Sequence, residues 1–337
     1  MRQVWITKRG APAVLKVREA QDPEAGDGHV RVRVKAAGVN FADLLARVGM
    51  YPDAPKVPFV VGYEVSGIID QVGKGVVGLA EGERVFAMPH FGGYTDTLVV
   101  PDGHVTKMPA GMTFEEAAAL PVVYLTAHHA MLFTGALREG STVLVHSAAG
   151  GVGVAALQLA RTRKCVVFGI ASASKLDFLR EHGCQHPIAT GVDYVEAVRA
   201  VVGDRGLDLV LDPVGGTSWK KGYDLLGPTG RLVIYGFSAM SGGNTATWLR
   251  AVGQFLQTKK FAPLDLMSDN KTVSGVNMGH LFPRLDLLRP QFDALVSLYE
   301  QGHIKPHVDR TFRFDEAPAA HQYIHDRKAK GKVLLVP

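Results

Sequence analysis

An apolar strand that runs into a small-residue turn and then a helix constrains this chain more than any other feature. Residues Val143-Leu-Val-His-Ser-Ala-Ala-Gly-Gly-Val-Gly153 carry the turn Ala148-x-Gly150-x-x-Gly153, and Val154-Ala-Ala-Leu-Gln-Leu-Ala160 continues as the helix. This is the dinucleotide-binding fingerprint with alanine in its first position. Gly150 lets the backbone approach a pyrophosphate, and Gly153 lets helix and strand pack closely. The helix N-terminus then offers its N–H groups to the anion. Glycines alone commonly just mark turns; the strand before and the helix after favour the nucleotide reading.

The next strand, Val166-Val-Phe-Gly-Ile-Ala171, decides which dinucleotide is expected. An NAD site places Asp or Glu at the end of this strand to bond the ribose 2′-hydroxyl. Ser172 stands there instead, succeeded by Ala173, Ser174 and Lys175. Two hydroxyls and a cation suit a 2′-phosphate, so NADPH is the expected cofactor. Ser174 is equally suited to cap the next helix, and Asp177, the rival acid, falls inside that helix.

Strands and helices alternate around this turn. Strands are expected at Thr142–His146, Cys165–Ile170, Leu207–Leu211 and Arg231–Tyr235, with helices opening at Gly151, Ser174 and Ser218. That order argues a doubly wound parallel sheet. The first third reads differently. In His29-Val-Arg-Val-Arg-Val-Lys35, Val30, Val32 and Val34 share one face, and glycine turns punctuate residues 62–93, which suggests a barrel-like β domain. Thr113-Phe-Glu-Glu116 predicts a capping box, and a second helix is expected over 124–134. A strand at Thr272–Val276 precedes a helix over 290–301, and the chain closes on the strand-like Lys332–Pro337. The expected division is 1–123 with 265–337 as one domain and 124–264 as the nucleotide domain, in a chain long enough for two.

Composition excludes several classes. Hydrophobic residues make up 47% and charged residues 20% of 337, which reads as globular. The most apolar stretch, 117–133, is broken by Pro121, His128 and His129, so no transmembrane segment is expected, and a cytoplasmic location is the default expectation. The net charge of +5 is scattered, the densest run being Arg327, Lys328, Lys330 and Lys332. No nucleic-acid partner is expected from so mild an excess. The two cysteines, Cys165 and Cys184, both lie in the nucleotide half, and His29, His90 and His104 lack ligand spacing. No metal site is expected.

Several segments in combination resemble one family. They are Ala36-Ala-Gly-Val-Asn-Phe-Ala-Asp43, Gly49-Met-Tyr51-Pro52, Gly62-Tyr-Glu64-x-x-Gly67, Gly82-Glu-Arg-Val85, Ala117-Ala-Ala-Leu-Pro121, Leu125-Thr-Ala127 and Gly331-Lys-Val-Leu-Leu-Val-Pro337. With the phosphate turn, they are similar to the zinc-independent quinone oxidoreductase branch of the medium-chain dehydrogenase/reductase superfamily. Phe168-Gly-Ile-Ala-Ser-Ala-Ser-Lys175, Asp212-Pro-Val-Gly-Gly216, Lys221-Gly-Tyr-Asp-Leu-Leu226 and Gln301-Gly-His-Ile-Lys-Pro-His307 resemble its vesicle amine transport protein subgroup. The resemblance implies an α/β fold in which a GroES-like β-barrel-type catalytic domain accompanies a Rossmann nucleotide domain.

The resemblance also implies roles. Asn40 and Asp43 would lie near the nicotinamide, and Tyr51 would border the substrate. Tyr63 would occupy the position where zinc-dependent cousins carry a histidine ligand. Thr126 would lie near the cofactor, and Gly150, Gly151 and Val152 would contact its pyrophosphate. Ser172, Ser174 and Lys175, with Arg327, would contact the 2′-phosphate. Val214, Gly236, Phe237, Gly275, Val276 and Asn277 would line the rest. Asn40 and Asp43 equally suit backbone bonds in a turn, and Arg327 a solvated charge. Leu45 stands where some relatives carry a second tyrosine. A phosphate-side tyrosine is replaced around Thr190, with Tyr194 further on.

The expected activity is hydride transfer from NADPH to a quinone or an α,β-unsaturated carbonyl compound by a homodimer. The alternative is a nucleotide-binding lipid carrier or docking protein with little turnover. The apolar residues of 239–267, among them Trp248, Phe255, Phe261, Leu264 and Leu266, suit core, dimer or lid packing, or a lipid-contacting surface.

Overall fold

Strand pairing sorts the described residues of this computed structural model, 1–238 and 260–337, into two units. The first comprises Met1–Leu125, Gly279–Glu300 and Lys305–Pro337. Its strands are β1 (Arg2–Ile6), β2 (Leu15–Glu19), β3 (His29–Val39), β4 (Phe59–Val60), β5 (Val65–Val72), β6 (Arg84–Ala87), β7 (Thr97–Pro101), β8 (Val105–Lys107), and near the C-terminus β15 (Val308–Arg313) and β16 (Lys332–Val336). The larger sheet runs β15-β16-β3-β5-β6-β8 with β7 against β3, and β2-β1-β4 form a second sheet. The alternation expected in β3 holds, since Val30, Val32 and Val34 are buried in one cluster with Val65, Ile69, Val85 and Leu335. The C-terminal strand enters this sheet centrally, beside β3, so both ends of the chain build one core.

The second unit comprises Thr126–Met278 and Gln301–Ile304. Its strands are β9 (Thr142–Val145), β10 (Val166–Ala171), β11 (His186–Ala189), β12 (Leu207–Asp212), β13 (Leu226–Ile234) and β14 (Thr272–Gly275), in the order β11-β10-β9-β12-β13-β14. All five pairings are parallel, as the alternation of strands and helices requires. Apolar strands such as β9, buried at every position, suit a sheet covered on both faces.

Three local differences have physical causes. Residues 265–278 lie in the second unit, because β14 pairs with β13. The helix expected from residue 124 starts earlier, as Pro121–His128, since proline favours a first turn; it passes into a π-helical turn, His129–Thr134. The helix expected over 290–301 is Leu285–Glu300, with Pro290 inside it. The capping box forms as expected: Glu116 N–H donates to Thr113 Oγ1 and Thr113 N–H to Glu116 Oε2, both at 3.1 Å. Trp248 and Phe255 lie outside the described residues.

Candidate functional site

The parallel strands of the second unit end on one edge of their sheet, and the residues expected to hold a nucleotide come directly after those ends. The Gly150 turn succeeds β9, Ser172–Lys175 succeed β10, and Val214 succeeds β12. Gly236 and Phe237 come after β13, while Gly275 closes β14 ahead of Val276 and Asn277. β9 and β12 are neighbours although β10 and β11 separate them in sequence. The strand order therefore reverses there, where open α/β sheets bind their ligands.

The turn is built by its small residues. Ala148 N–H donates to the Ile170 carbonyl and Gly150 N–H to the Ser147 carbonyl, each at 2.9 Å. Ser147 takes a left-handed φ of 54°. A Cβ on Gly153 would lie within 2.6 Å of Ala148 Cα, so only glycine lets the helix Gly151–Thr162 close on the strand. A Cβ on Gly150 would meet only the Ser147 carbonyl oxygen, at 3.3 Å. The outer face of the turn is open, and the first helical turn behind it lacks intrahelical acceptors for its amides. This arrangement fits a diphosphate.

Ser172 and Ser174 are exposed after β10 with their hydroxyl oxygens 3.4 Å apart, and Lys175 is half-buried. Ser172 stands at the N-cap of the short 3-10 turn Ala173–Lys175 without a side-chain cap bond, Ser174 lies inside that turn, and Lys175 precedes the helix Leu176–Glu181. Asp177 is exposed in the helix Leu176–Glu181 and pairs with Arg180 at 2.5 Å. No carboxylate therefore stands at the strand end, and the residues present fit a 2′-phosphate.

Next to the turn lie His146 and Asp212, to which the sequence assigns no role. Asp212 Oδ1 accepts Val214 N–H at 2.6 Å and Gly215 N–H at 3.2 Å, which shapes the loop after β12. Its Oδ2 lies 3.7 Å from Nε2 of buried His146. Burial lowers the His146 pKa, opposed by the charge of Asp212. Tyr194 is buried with its ring edge-on to His146, centroids 5.2 Å apart. It is therefore a core residue, not a surface partner for phosphate.

In the first unit, Asn40 stands between β3 and the helix Phe41–Val48. Its backbone N–H donates to Asp43 Oδ2 at 2.6 Å, so the turn bond expected of Asp43 is present. Its side chain faces elsewhere: Nδ2 donates to Glu64 Oε1 at 2.7 Å, and Oδ1 accepts from Lys332 Nζ at 2.5 Å. Glu64 and Lys332 form an ion pair, and Glu64 Oε2 accepts Val122 N–H at 2.7 Å. Asp43 Oδ2 also accepts from Tyr94 Oη at 2.9 Å, which lies 3.2 Å from His321 Nε2. Asp43, Glu64, Tyr94 and His321 have no exposed surface, and Lys332 is buried too. The sequence alone places Lys332 in a basic run. Its burial shows that it belongs with the apolar strand it opens.

Tyr51 and Tyr63 extend this region. Their rings meet edge-on at 6.1 Å, and Tyr63 lies 5.2 Å from Phe91, which meets Phe59 at 6.0 Å. The Tyr63 hydroxyl is buried without a hydrogen-bond partner among the described residues. Burial raises the pKa of both phenols, more so at Tyr63, with the Asp43 charge adding to each. Tyr63 and Phe59 belong to the buried core of this unit, and Tyr51 and Phe91 pack against it.

Thr126 is buried in the helix Pro121–His128, and Arg327 is exposed with a left-handed φ of 57°. Among the described residues, no three His, Cys, Asp or Glu side chains are grouped to hold a metal ion. Cys165 and Cys184 are buried, and burial pushes both thiols up to about 11. No described helix is long and apolar enough to cross a membrane.

A β-barrel-type unit built from both ends of the chain, with a parallel 3-2-1-4-5-6 sheet inserted, defines a medium-chain dehydrogenase/reductase. The family profile "Alcohol dehydrogenase GroES-like domain" matches residues 26–111, and "Zinc-binding dehydrogenase" matches residues 182–335. The mouse synaptic vesicle membrane protein VAT-1 homolog is 41% identical over 325 residues, covering 96% of this chain and 80% of that protein. The crystal structure of the human VAT-1 homolog-like protein superposes with a TM-score of 0.87 at 35% identity, covering 100% of this chain and 98% of that one. Escherichia coli quinone oxidoreductase complexed with NADPH gives 0.88 at 27% identity, covering all of both chains. The chain belongs to the medium-chain dehydrogenase/reductase superfamily and, within it, to the VAT-1 homologue group.

Proposed function

We propose that this chain binds NADPH and reduces a quinone or an α,β-unsaturated carbonyl compound without zinc. The observation that carries this reading is the open Gly150 turn at the reversal of strand order, with Ser172, Ser174 and Lys175 where an NAD site would carry an acid. The NADPH complex of a quinone oxidoreductase with the same fold supports it. Gly150, Gly151 and Val152 hold the diphosphate in this reading, and Ser172, Ser174, Lys175 and Arg327 the 2′-phosphate. Thr126, Val214, Gly236, Phe237 and Gly275–Asn277 border the rest of the nucleotide.

When bound, NADPH supplies the hydride. The protein orients the acceptor and steadies the charge that grows on its oxygen. Asn40 and Tyr51 donate hydrogen bonds to that oxygen, Tyr63 walls the acceptor, and Asp43 holds the Asn40 backbone. Tyr63, at the position of a zinc-ligating histidine in related enzymes, is the residue that argues against zinc. The proton returns from water.

The test monitors NADPH and NADH oxidation with quinones, short enones and long-chain enals. Saturable turnover with NADPH is expected, and Tyr51→Phe is expected to lower kcat/KM about tenfold. Unchanged turnover by Tyr51→Phe would remove its role. A second reading, a nucleotide-bound lipid carrier, is favoured by Leu264 and Met267, 73% and 74% exposed on the helix Pro263–Asp269. Tight NADPH binding without turnover, with lipid co-purifying, would select it.

A further inference from the structure

The side chain of Asn40 is held in one sense by two buried charges. The register of β16 on β3 pairs Val333 with Val39, which brings Lys332 opposite Asn40. Gly38, paired with Leu334, leaves room for Glu64: a Cβ there would lie 2.6 Å from Glu64 Cδ. The Lys332 and Glu64 side chains are 4% and 0% exposed. An ammonium can only donate and a carboxylate can only accept. The Asn40 atom facing Lys332 must therefore be Oδ1, and the atom facing Glu64 must be Nδ2. A flipped amide would set N–H against the ammonium and oxygen against the carboxylate, with both buried where such contacts are costly. Nδ2 carries a second hydrogen with no further acceptor among the described residues, and Asn40 keeps a 7% exposure.

We infer that Lys332, acting with Glu64, is a positioning residue that locks the orientation of the Asn40 amide, so that Asn40 presents its second Nδ2 hydrogen to a ligand as a hydrogen-bond donor. The ligand atom it selects is a carbonyl-type oxygen with a free lone pair, a choice that rests on the function proposed above. A ligand whose only polar group at that point is a donor is disfavoured, because Oδ1 is turned to Lys332 and already accepts from it. The lock costs the chain a buried ion pair, which adds little to stability by itself but can define geometry.

The test compares wild type, Asn40→Ala and the double variant Glu64→Gln/Lys332→Met. Lys332→Met alone would strand a buried carboxylate, whereas the double variant removes both charges together. The side-chain amide signal of Asn40 in nitrogen-15 NMR is identified by its absence from Asn40→Ala. Its hydrogens are expected to exchange with solvent at least about tenfold faster in the double variant than in wild type. With any acceptor that wild type reduces, the double variant is expected to lose about tenfold in kcat/KM. Adding Asn40→Ala to it should cost nothing further, since the residues act as one unit. Equal exchange in wild type and double variant would overturn the lock, and so would losses that multiply in the triple variant. Absence of turnover with every quinone and enone would instead sink the proposed function, while the exchange measurement still decides the lock.

Discussion

At the scale of single residues, Asp43 and His321 carry opposite pH signatures through one tyrosine. Burial pushes the Asp43 carboxyl up to about 7, against the hydrogen bonds from Asn40 and Tyr94 and the attraction of Lys332. Burial, with Arg47 nearby, pushes the His321 imidazole down to about 3. Between the ordinary values of 3.8 and 6.5, the folded protein keeps a proton on Asp43 that the unfolded chain has released. It also withholds from His321 a proton that the unfolded chain has taken up. Asp43 alone therefore makes stability fall as pH rises through this window, and His321 alone makes it rise. Each slope is at most about 1.4 kcal/mol per pH unit, so the pair nearly cancels until His321 drops out and Asp43 acts alone toward pH 7. Denaturant unfolding across this range is expected to show stability rising with pH in Asp43→Asn relative to wild type, and falling in His321→Gln. Parallel curves for all three would show that these groups do not titrate as their burial requires.

At the scale of elements, the phosphate turn separates two glycines that look alike in sequence. Gly153→Ala forces a Cβ against the Ala148 backbone, where nothing flexible can yield. It is expected to cost about 1–3 kcal/mol of stability, read by thermal unfolding without nucleotide. Gly150→Ala meets only one carbonyl oxygen, so the fold is expected to tolerate it. On the proposed function, NADPH affinity should then fall tenfold or more, because the Cβ would project toward the diphosphate. Equal destabilisation by both changes would contradict this division. The turn was legible because its strand, glycines and helix are contiguous. β3 was legible for a similar reason, since Val30, Val32 and Val34 alternate without interruption. β11 was not: His186-Pro-Ile-Ala189 has four residues and one buried side chain, too short for a period to show. His321 was hidden for a different reason. It continues the buried face of Ala317 and Ala320 on its helix, and the sequence pattern marks that face without saying that a histidine on it meets Tyr94.

At the scale of the whole molecule, contacts distant in sequence were the least legible. Lys332 meets Asn40 across 292 positions, and among three neighbouring cations it reads as solvated charge. Residues 265–278 join the second unit through contacts distant in sequence, β14 pairing with β13 and Tyr223 Oη donating to Asp269 Oδ2. The cofactor, by contrast, depends on a local cluster, and its selectivity gives a prediction for the intact protein. A cation about 4 Å from a phosphate charge gains about 4 kcal/mol at an effective dielectric near 20, before desolvation. A third of that is about tenfold in affinity. The intact chain is therefore expected to bind NADPH at least about tenfold more tightly than NADH, and the difference should shrink as salt screens the phosphate. A nucleotide present at about 100 times its dissociation constant stabilises the fold by about 2.7 kcal/mol, so unfolding temperature reports binding without turnover. Lys175→Ala should reduce the NADPH-induced shift and leave the smaller NADH shift in place, bringing the two within about threefold in affinity. Should both shifts fall together, Lys175 serves what the two nucleotides share, and the 2′-phosphate must be read by Ser172, Ser174 or Arg327.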